Sequence, residues 1–268
     1  MAKLYIVGTP IGNLKDITLR ALETLKTSDY IACEDTRTSS KLLNAYDIKK
    51  PLIAYHKFNE TSCSEKIISL IREGNNVSLI TDAGMPCISD PGSELVYKCR
   101  EEGIIIESIP GPTAFATAFA LSGIKGTSFT FIGFMPDKKA DKVALLKKYM
   151  HSSIPLVFYV APHDLISTAQ TMYEVLGDRI VYVVREITKI HENVTITNLK
   201  NFECEARGEI VLIVESELEA NNPLLALSIE EHLRHYIDLG MDKKEAIKVV
   251  ANERGITKND VYQAAINI

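Results

Sequence analysis

A chain of 268 residues, 46% hydrophobic and 24% charged, has the composition of a globular protein large enough for two domains, and no apolar run is long enough to cross a bilayer. Its net charge of −5 excludes binding to nucleic acid through overall charge, so any contact with phosphates needs a local basic patch. Five cysteines, an odd number with no Cys-x-x-Cys pair, speak against a disulfide framework or a zinc site and for a reducing compartment, the cytoplasm.

The N-terminus enters a strand-like run directly, without a signal-peptide pattern. Over residues 1–110, apolar runs at 4–8, 30–33, 52–55, 77–81 and 104–109 read as strands. Leu19, Leu22 and Leu25, and then Ile67, Ile68 and Ile71, recur at helical spacing between them. Strand and helix in alternation predict a largely parallel sheet covered by helices. The segments that follow the strands share one edge of such a sheet, and their composition is unusual: TPIGNL (9–14), EDTR (34–37), HKFNE (56–60), DAG (82–84) and PGPT (110–113). The opposite turns (26–29, 73–76, 101–103) are plain and charged. Open α/β sheets bind ligands at the carboxyl edge of their strands, so this asymmetry predicts a site there.

The stretch DAGMPCISDPG (82–92) joins a buried strand to a helix over 93–100. Asp90 before Pro91 reads as a helix cap. Asp82, followed by small residues, is open to two readings, a ligand contact or a turn. Gly8 to Gly12 lacks the third glycine of a dinucleotide fingerprint. No phosphate-binding Gly-x-x-x-x-Gly-Lys, no His-Glu-x-x-His and no Gly-x-Ser-x-Gly occurs, which removes zinc peptidases and serine hydrolases.

Pro110-Gly-Pro112 stiffens the chain, and a domain boundary is placed there. Thr113 is then expected to cap an alanine-rich helix over 114–121. Further strands are read at 129–134, 156–160, 181–187, 194–197 and 210–215, the third running into the fourth as a hairpin, which predicts a second α/β domain over 111–220 with a mixed sheet. Lys138, Lys139, Lys142, Lys147 and Lys148 form the one local basic concentration, either an RNA contact or a solvated helix face. Residues 221–223 read as a linker to a helical extension, 221–268, with helices over 229–239, 243–254 and 258–266. Gly255 leaves a helix-turn-helix open, but the balance of acidic and basic residues favours a packing or lid module. His232 and His235 share a helix face without a third ligand, so no metal is expected.

TPIGNL (9–14), EDTR (34–37), DAGMPCISDPG (82–92), PGPTA (110–114), REITKIHE (185–192) and GEIVL (208–212), six motifs in order, resemble the small-subunit ribosomal RNA methyltransferase branch of the tetrapyrrole methylase-like, class III methyltransferases. The resemblance covers nearly the whole chain. It implies an α/β protein of two α/β domains with S-adenosylmethionine in the cleft between them, usually a homodimer, that methylates a cytidine ribose 2′-oxygen in small-subunit rRNA or the 30S subunit. Carried over by motif, the donor meets Pro10, Ile11, Asp82, Gly84, Met85, Thr113, Ala114, Tyr159 and Val160. Gly8 stands where Pro or Ala is commoner, Met85 where Thr is usual, and Val160 and Asp164 where Glu and Arg are expected. A positioned acceptor for the hydroxyl proton would assist transfer. Asp35, Glu60, Glu186 and His56 are the candidates, with Arg37 and Lys189 as phosphate or acidity-tuning partners and Lys138, Lys139 and Lys142 as the RNA contact. Two competing readings are a family member acting on a tetrapyrrole or other small molecule, and a non-catalytic nucleotide- or RNA-binding module.

Overall fold

The computed structural model describes residues 2–216 and 223–265. The linker read at 221–223 falls largely outside them, as does the end of the last helix at Ile266.

The first sheet is built from β1 (Lys3–Val7), β2 (Tyr30–Cys33), β3 (Leu52–Ala54), β4 (Val77–Ile80) and β5 (Ile105–Ile109), in the order β3-β2-β4-β1-β5 with every pairing parallel. All four residues of β4 are buried, as a central strand covered on both faces requires. Helices α1 (Leu19–Thr27) and α2 (Thr36–Ala45) cover one face, where Ala21, Leu25 and Leu43 pack with Val7, Ile31 and Ile80. Helices α3 (Glu60–Arg72) and α4 (Ser93–Glu101) cover the other, where Ile67, Ile68, Ile71 and Leu95 pack with Leu4, Ala32 and Leu79. The change of face occurs beside the neighbours β1 and β4, so a crevice opens between the loops that follow them. Those loops are laced together: Thr9 and Gly84 exchange backbone hydrogen bonds of 2.9 and 3.1 Å, and the Thr9 hydroxyl donates to the Thr81 carbonyl at 3.0 Å.

The second sheet comprises β6 (Thr130–Phe134), β7 (Leu156–Val160), β8 (Ile180–Arg185), β9 (Asn193–Asn198) and β10 (Ile210–Val214), in the order β6-β7-β10-β8-β9. Only the β6–β7 pair is parallel, and β8 and β9 form the hairpin expected from sequence. Helix α5 (Ala114–Ser122) packs through Phe115, Ala118 and Phe119 on the face carrying Val157, Val184, Val211 and Ile213. Helices α6 (Lys139–Lys147) and α7 (Leu165–Leu176) cover the opposite face through Leu146, Leu165, Ala169 and Met172.

Helices α8 (Ile229–Asp238), α9 (Lys243–Arg254) and α10 (Lys258–Ala264) form a small unit around Leu233, Ile247, Val250 and Val261. Gly255 ends α9 in the left-handed conformation, and Thr257 opens α10 with a capping box. The buried His232 is engaged by its neighbours, with Nε2 2.8 Å from Glu253 and Nδ1 accepting from Arg254 Nε at 3.0 Å.

Candidate active site

Loops from the carboxyl edge of the first sheet and strand ends of the second enclose a cleft of about 330 Å³. The loops after β1 and β4 supply Ile11, Asp82, Gly84 and Met85; the β5–α5 connection supplies Thr113 and Ala114; β7 supplies Tyr159 and Val160. Eight of the nine residues assigned to the donor from sequence thus line one cavity. Pro10, the ninth, is buried behind Ile11 and is not among the lining residues. Thr113 occupies the N-cap position of α5, but its side chain makes no capping hydrogen bond. Ile88, Asp90, Ile187 and the segment 208–211 also line the cleft, although the motifs that contain them were not assigned to the donor from sequence, and Phe134, outside every motif, lines it too.

Asp90 corrects an expectation. Helix α4 is capped by Gly92, with φ of 133° and no side-chain hydrogen bond, so the Asp90 carboxylate is not the cap. Cys87 and Ser89 adopt φ of 68° and 65°, a left-handed conformation that costs energy in residues with a side chain and that the surrounding loop must enforce. The path these residues impose leaves Asp90 on the cleft wall. Burial, followed by the charge of Glu34, pushes its carboxyl up to about 6. Asp82 is also raised, by burial first and by neighbouring Asp35, although the Asp35 backbone N–H donates to it at 3.3 Å.

The acids named from sequence are engaged elsewhere. Asp35 is the N-cap of α2; the Arg37 guanidinium grips it at 2.9 and 3.2 Å, and these hydrogen bonds hold its carboxyl down at about 2. Glu60 opens α3 in a separate surface hollow with Lys57 and Glu94. Glu186 accepts from the Glu209 backbone N–H at 2.8 Å and from Lys189 Nζ at 3.0 Å, which keeps it below the usual carboxylate range. Lys189 also pairs with Glu209, a lining residue, at 3.2 Å. His56 lies in the β3–α3 connection, its ring edge-on to Phe58 and its Nδ1 buried without a hydrogen-bond partner.

The sequence profile of the tetrapyrrole (corrin/porphyrin) methylases matches residues 3–203. This chain belongs to the tetrapyrrole methylase family. It is therefore a methyltransferase, and its two-sheet architecture is the fold of class III methyltransferases. Two proteins named ribosomal RNA small subunit methyltransferase I are similar to it along their length. That of Halalkalibacterium halodurans is 44% identical, with 97% of this chain and 93% of the relative covered; that of Bacillus subtilis is 42% identical, with 98% and 94% covered. Among solved structures, a diphthine synthase superposes with a TM-score of 0.66 at 15% identity, over 80% of this chain and 90% of that one. The uroporphyrin-III-C-methyltransferase of Thermus thermophilus gives 0.58 at 20% identity, over 80% and 94%.

The structure gives physical reasons for the departures from the family pattern. A Cβ on Gly8 would stand 2.7 Å from Gly111 Cα and N as well as from Met85 Sδ; the sulfur can swing aside but the Gly111 backbone cannot, so the close approach of the 110–113 segment is what holds position 8 to glycine, and the two departures face each other. Asp164, in place of Arg, receives the ammonium of Lys142, which is only 2% exposed and also donates to Ser167 at 3.2 Å. Lys142 is therefore removed from the basic surface to which sequence assigned it, because an ammonium buried on a carboxylate cannot meet a phosphate. Lys138, Lys139, Lys147 and Lys148 remain exposed, Lys139 paired with Glu174 at 2.8 Å.

Proposed function

We propose that this chain transfers the methyl group of S-adenosylmethionine to the ribose 2′-oxygen of a cytidine in small-subunit (16S) ribosomal RNA, acting as a homodimer in the cytoplasm. The observation that carries the reading is the cleft itself: five of the six motifs, scattered over 200 residues, contribute to the lining of one cavity, in a chain over 40% identical to proteins named for small-subunit ribosomal RNA. The lining suits the donor. Gly84, Ala83 and Ala114 admit close approach of a nucleoside to the backbone, Ile11, Val160 and Ile187 offer apolar surface, and the carboxylate of Asp82 complements a cationic ligand. S-adenosylmethionine, when bound, supplies a methyl group activated by its sulfonium charge.

The protein's part is alignment of the acceptor, exclusion of water and handling of a proton. A carboxylate that titrates near the working pH is a better proton acceptor than one held far below it. By that criterion Asp35 and Glu186, each stabilised as an anion by close partners, serve structure, and Asp90 is the residue to which we assign the hydroxyl proton. Asp82, beside it, holds the donor. Arg37 and the exposed lysines of 138–148 face RNA phosphates.

The test is transfer of labelled methyl to purified small ribosomal subunits, with nuclease digestion and mass spectrometry of the product, alongside calorimetry of donor binding to wild type and Asp82→Ala. The expected results are 2′-O-methylcytidine and a loss of donor affinity of ~1–3 kcal/mol in the variant. Methyl on a base atom, or on a tetrapyrrole and no RNA, would overturn the assignment of substrate.

A further inference from the structure

Along β6 the side chains should alternate between the two faces of the second sheet, and an irregularity breaks that alternation. Phe131 is in register with Val157, Gly133 with Phe158 and Phe134 with Tyr159, so Ile132 is an inserted residue, a β-bulge. Paired residues of parallel strands point the same way. Val157 and Tyr159 belong to the face packed against α5, Phe158 and Val160 to the face packed against α6 and α7. Without the bulge, Phe134 would pair with Val160 and be buried under α6 and α7. With it, Phe134 turns to the other face and lines the cleft, 63% exposed, its ring edge-on to Tyr159 at 5.1 Å. A one-residue slip reverses the facing of everything beyond it, and bulges beside active sites commonly re-aim a side chain in this way. Gly133 takes φ of 87°, and a Cβ there would lie 3.2 Å from the hydroxyl of Ser89, so the 82–92 loop closes against the bulge. That brings Ile88, 41% exposed and also lining the cleft, to the same mouth.

Phe134 and Ile88 face the same cleft mouth, so together they leave an exposed apolar surface that a flat ligand can cover. Four residues further along the chain, Lys138 begins the exposed basic stretch. A flat apolar surface beside cationic side chains matches a single nucleotide lifted out of an RNA strand, with its base stacked and its phosphates paired. A cleft of about 330 Å³ has room for the donor and one nucleotide but not for a helix, and single-stranded nucleotides with unstacked bases are the RNA elements that proteins commonly hold on aromatic side chains. We propose that Phe134, aimed by the bulge and buttressed by Tyr159, is the stacking platform for the base of the acceptor nucleotide, and that Ile88 closes the slot from the opposite loop. This assignment rests on the RNA reading of the cleft and adds to it the residue that holds the acceptor.

Methyl transfer to small ribosomal subunits, measured against subunit concentration, tests it with Phe134→Ala, Phe134→Leu and Phe134→Trp. Phe134→Ala is expected to raise KM for the subunit about 5- to 150-fold, the range found when an aromatic that stacks on a base is truncated. Donor affinity by calorimetry should remain within twofold. Phe134→Trp should restore KM to within about threefold and Phe134→Leu should not, which separates stacking from simple apolar cover. A KM in Phe134→Ala within twofold of wild type, full function in Phe134→Leu, or an equal loss of donor affinity would each overturn the platform. Wild-type protein that transfers nothing to subunits would instead overturn the RNA reading, and this inference with it.

Discussion

Replacing Asp90 by Asn should make the protein more stable and less active. In the folded chain the carboxyl is raised from 3.8 to about 6 by burial and by the charges of Glu34 and Asp82, which amounts to ~3 kcal/mol of penalty for ionising it there. Because the side chain keeps partial contact with water, ~2 kcal/mol is the expected observable effect. A raised pKa means that, between pH 4 and pH 6, the folded chain holds a proton that the unfolded chain has lost. Wild-type stability relative to the amide variant is therefore intact below about pH 4, falls as pH rises through about 6, and is flat above that. Unfolding free energies from urea titration of wild type and Asp90→Asn at pH 3.5 and pH 7.5, read from the transition that exposes the first sheet, should differ little at the lower pH and by ~2 kcal/mol in favour of the variant at the higher. Turnover by the variant at pH 7.5 should drop about 10²- to 10⁴-fold while donor affinity holds, as expected for a group that receives a proton in the transition state. Wild-type turnover should fall as the pH drops below about 6. A variant no more stable at pH 7.5 than wild type, or equally stabilised at both pH values, would refute the placement of an ionised Asp90 on the cleft wall.

Two further outcomes are expected. Asp164→Ala strands the ammonium of Lys142 in a buried site and should cost ~3–5 kcal/mol in urea unfolding, whereas the pair Lys142→Met with Asp164→Leu should recover most of it. Changing Lys138, Lys139, Lys147 and Lys148 to Gln should weaken RNA binding and flatten its dependence on salt by up to about 0.7 per lost phosphate contact, and an unchanged slope would return that surface to the solvent.

The strands were legible because each is a compact apolar run, and their ends match to within about a residue or two. Two helices escaped. In α7 the buried positions Leu165, Thr168, Ala169, Met172 and Leu176 have helical spacing, but Thr168 reads as polar until its hydroxyl is seen to donate to Asp164. In α2 only Ser39 and Leu43 are buried, too few to set a period. The cleft was half legible. Residues immediately after strand ends could be assigned, since the chain direction of a parallel sheet fixes where they lie. Asp90 and Phe134 could not, because their facing depends on left-handed turns at Cys87 and Ser89 and on the insertion at Ile132, backbone choices made by tertiary packing. Gly133 within a strand was the available hint of a bulge. Lys142 was misassigned because the carboxylate that buries it lies 22 residues further along the chain.

The helical unit at residues 229–265 has a consequence for how the molecule changes over time. Its buried cluster is drawn entirely from its own three helices, and Arg254 anchors the preceding turn through the carbonyls of Leu224 and Ser228 at 3.0 and 3.2 Å. A module with a private core can melt on its own or be exchanged between lineages without disturbing the packing of either sheet.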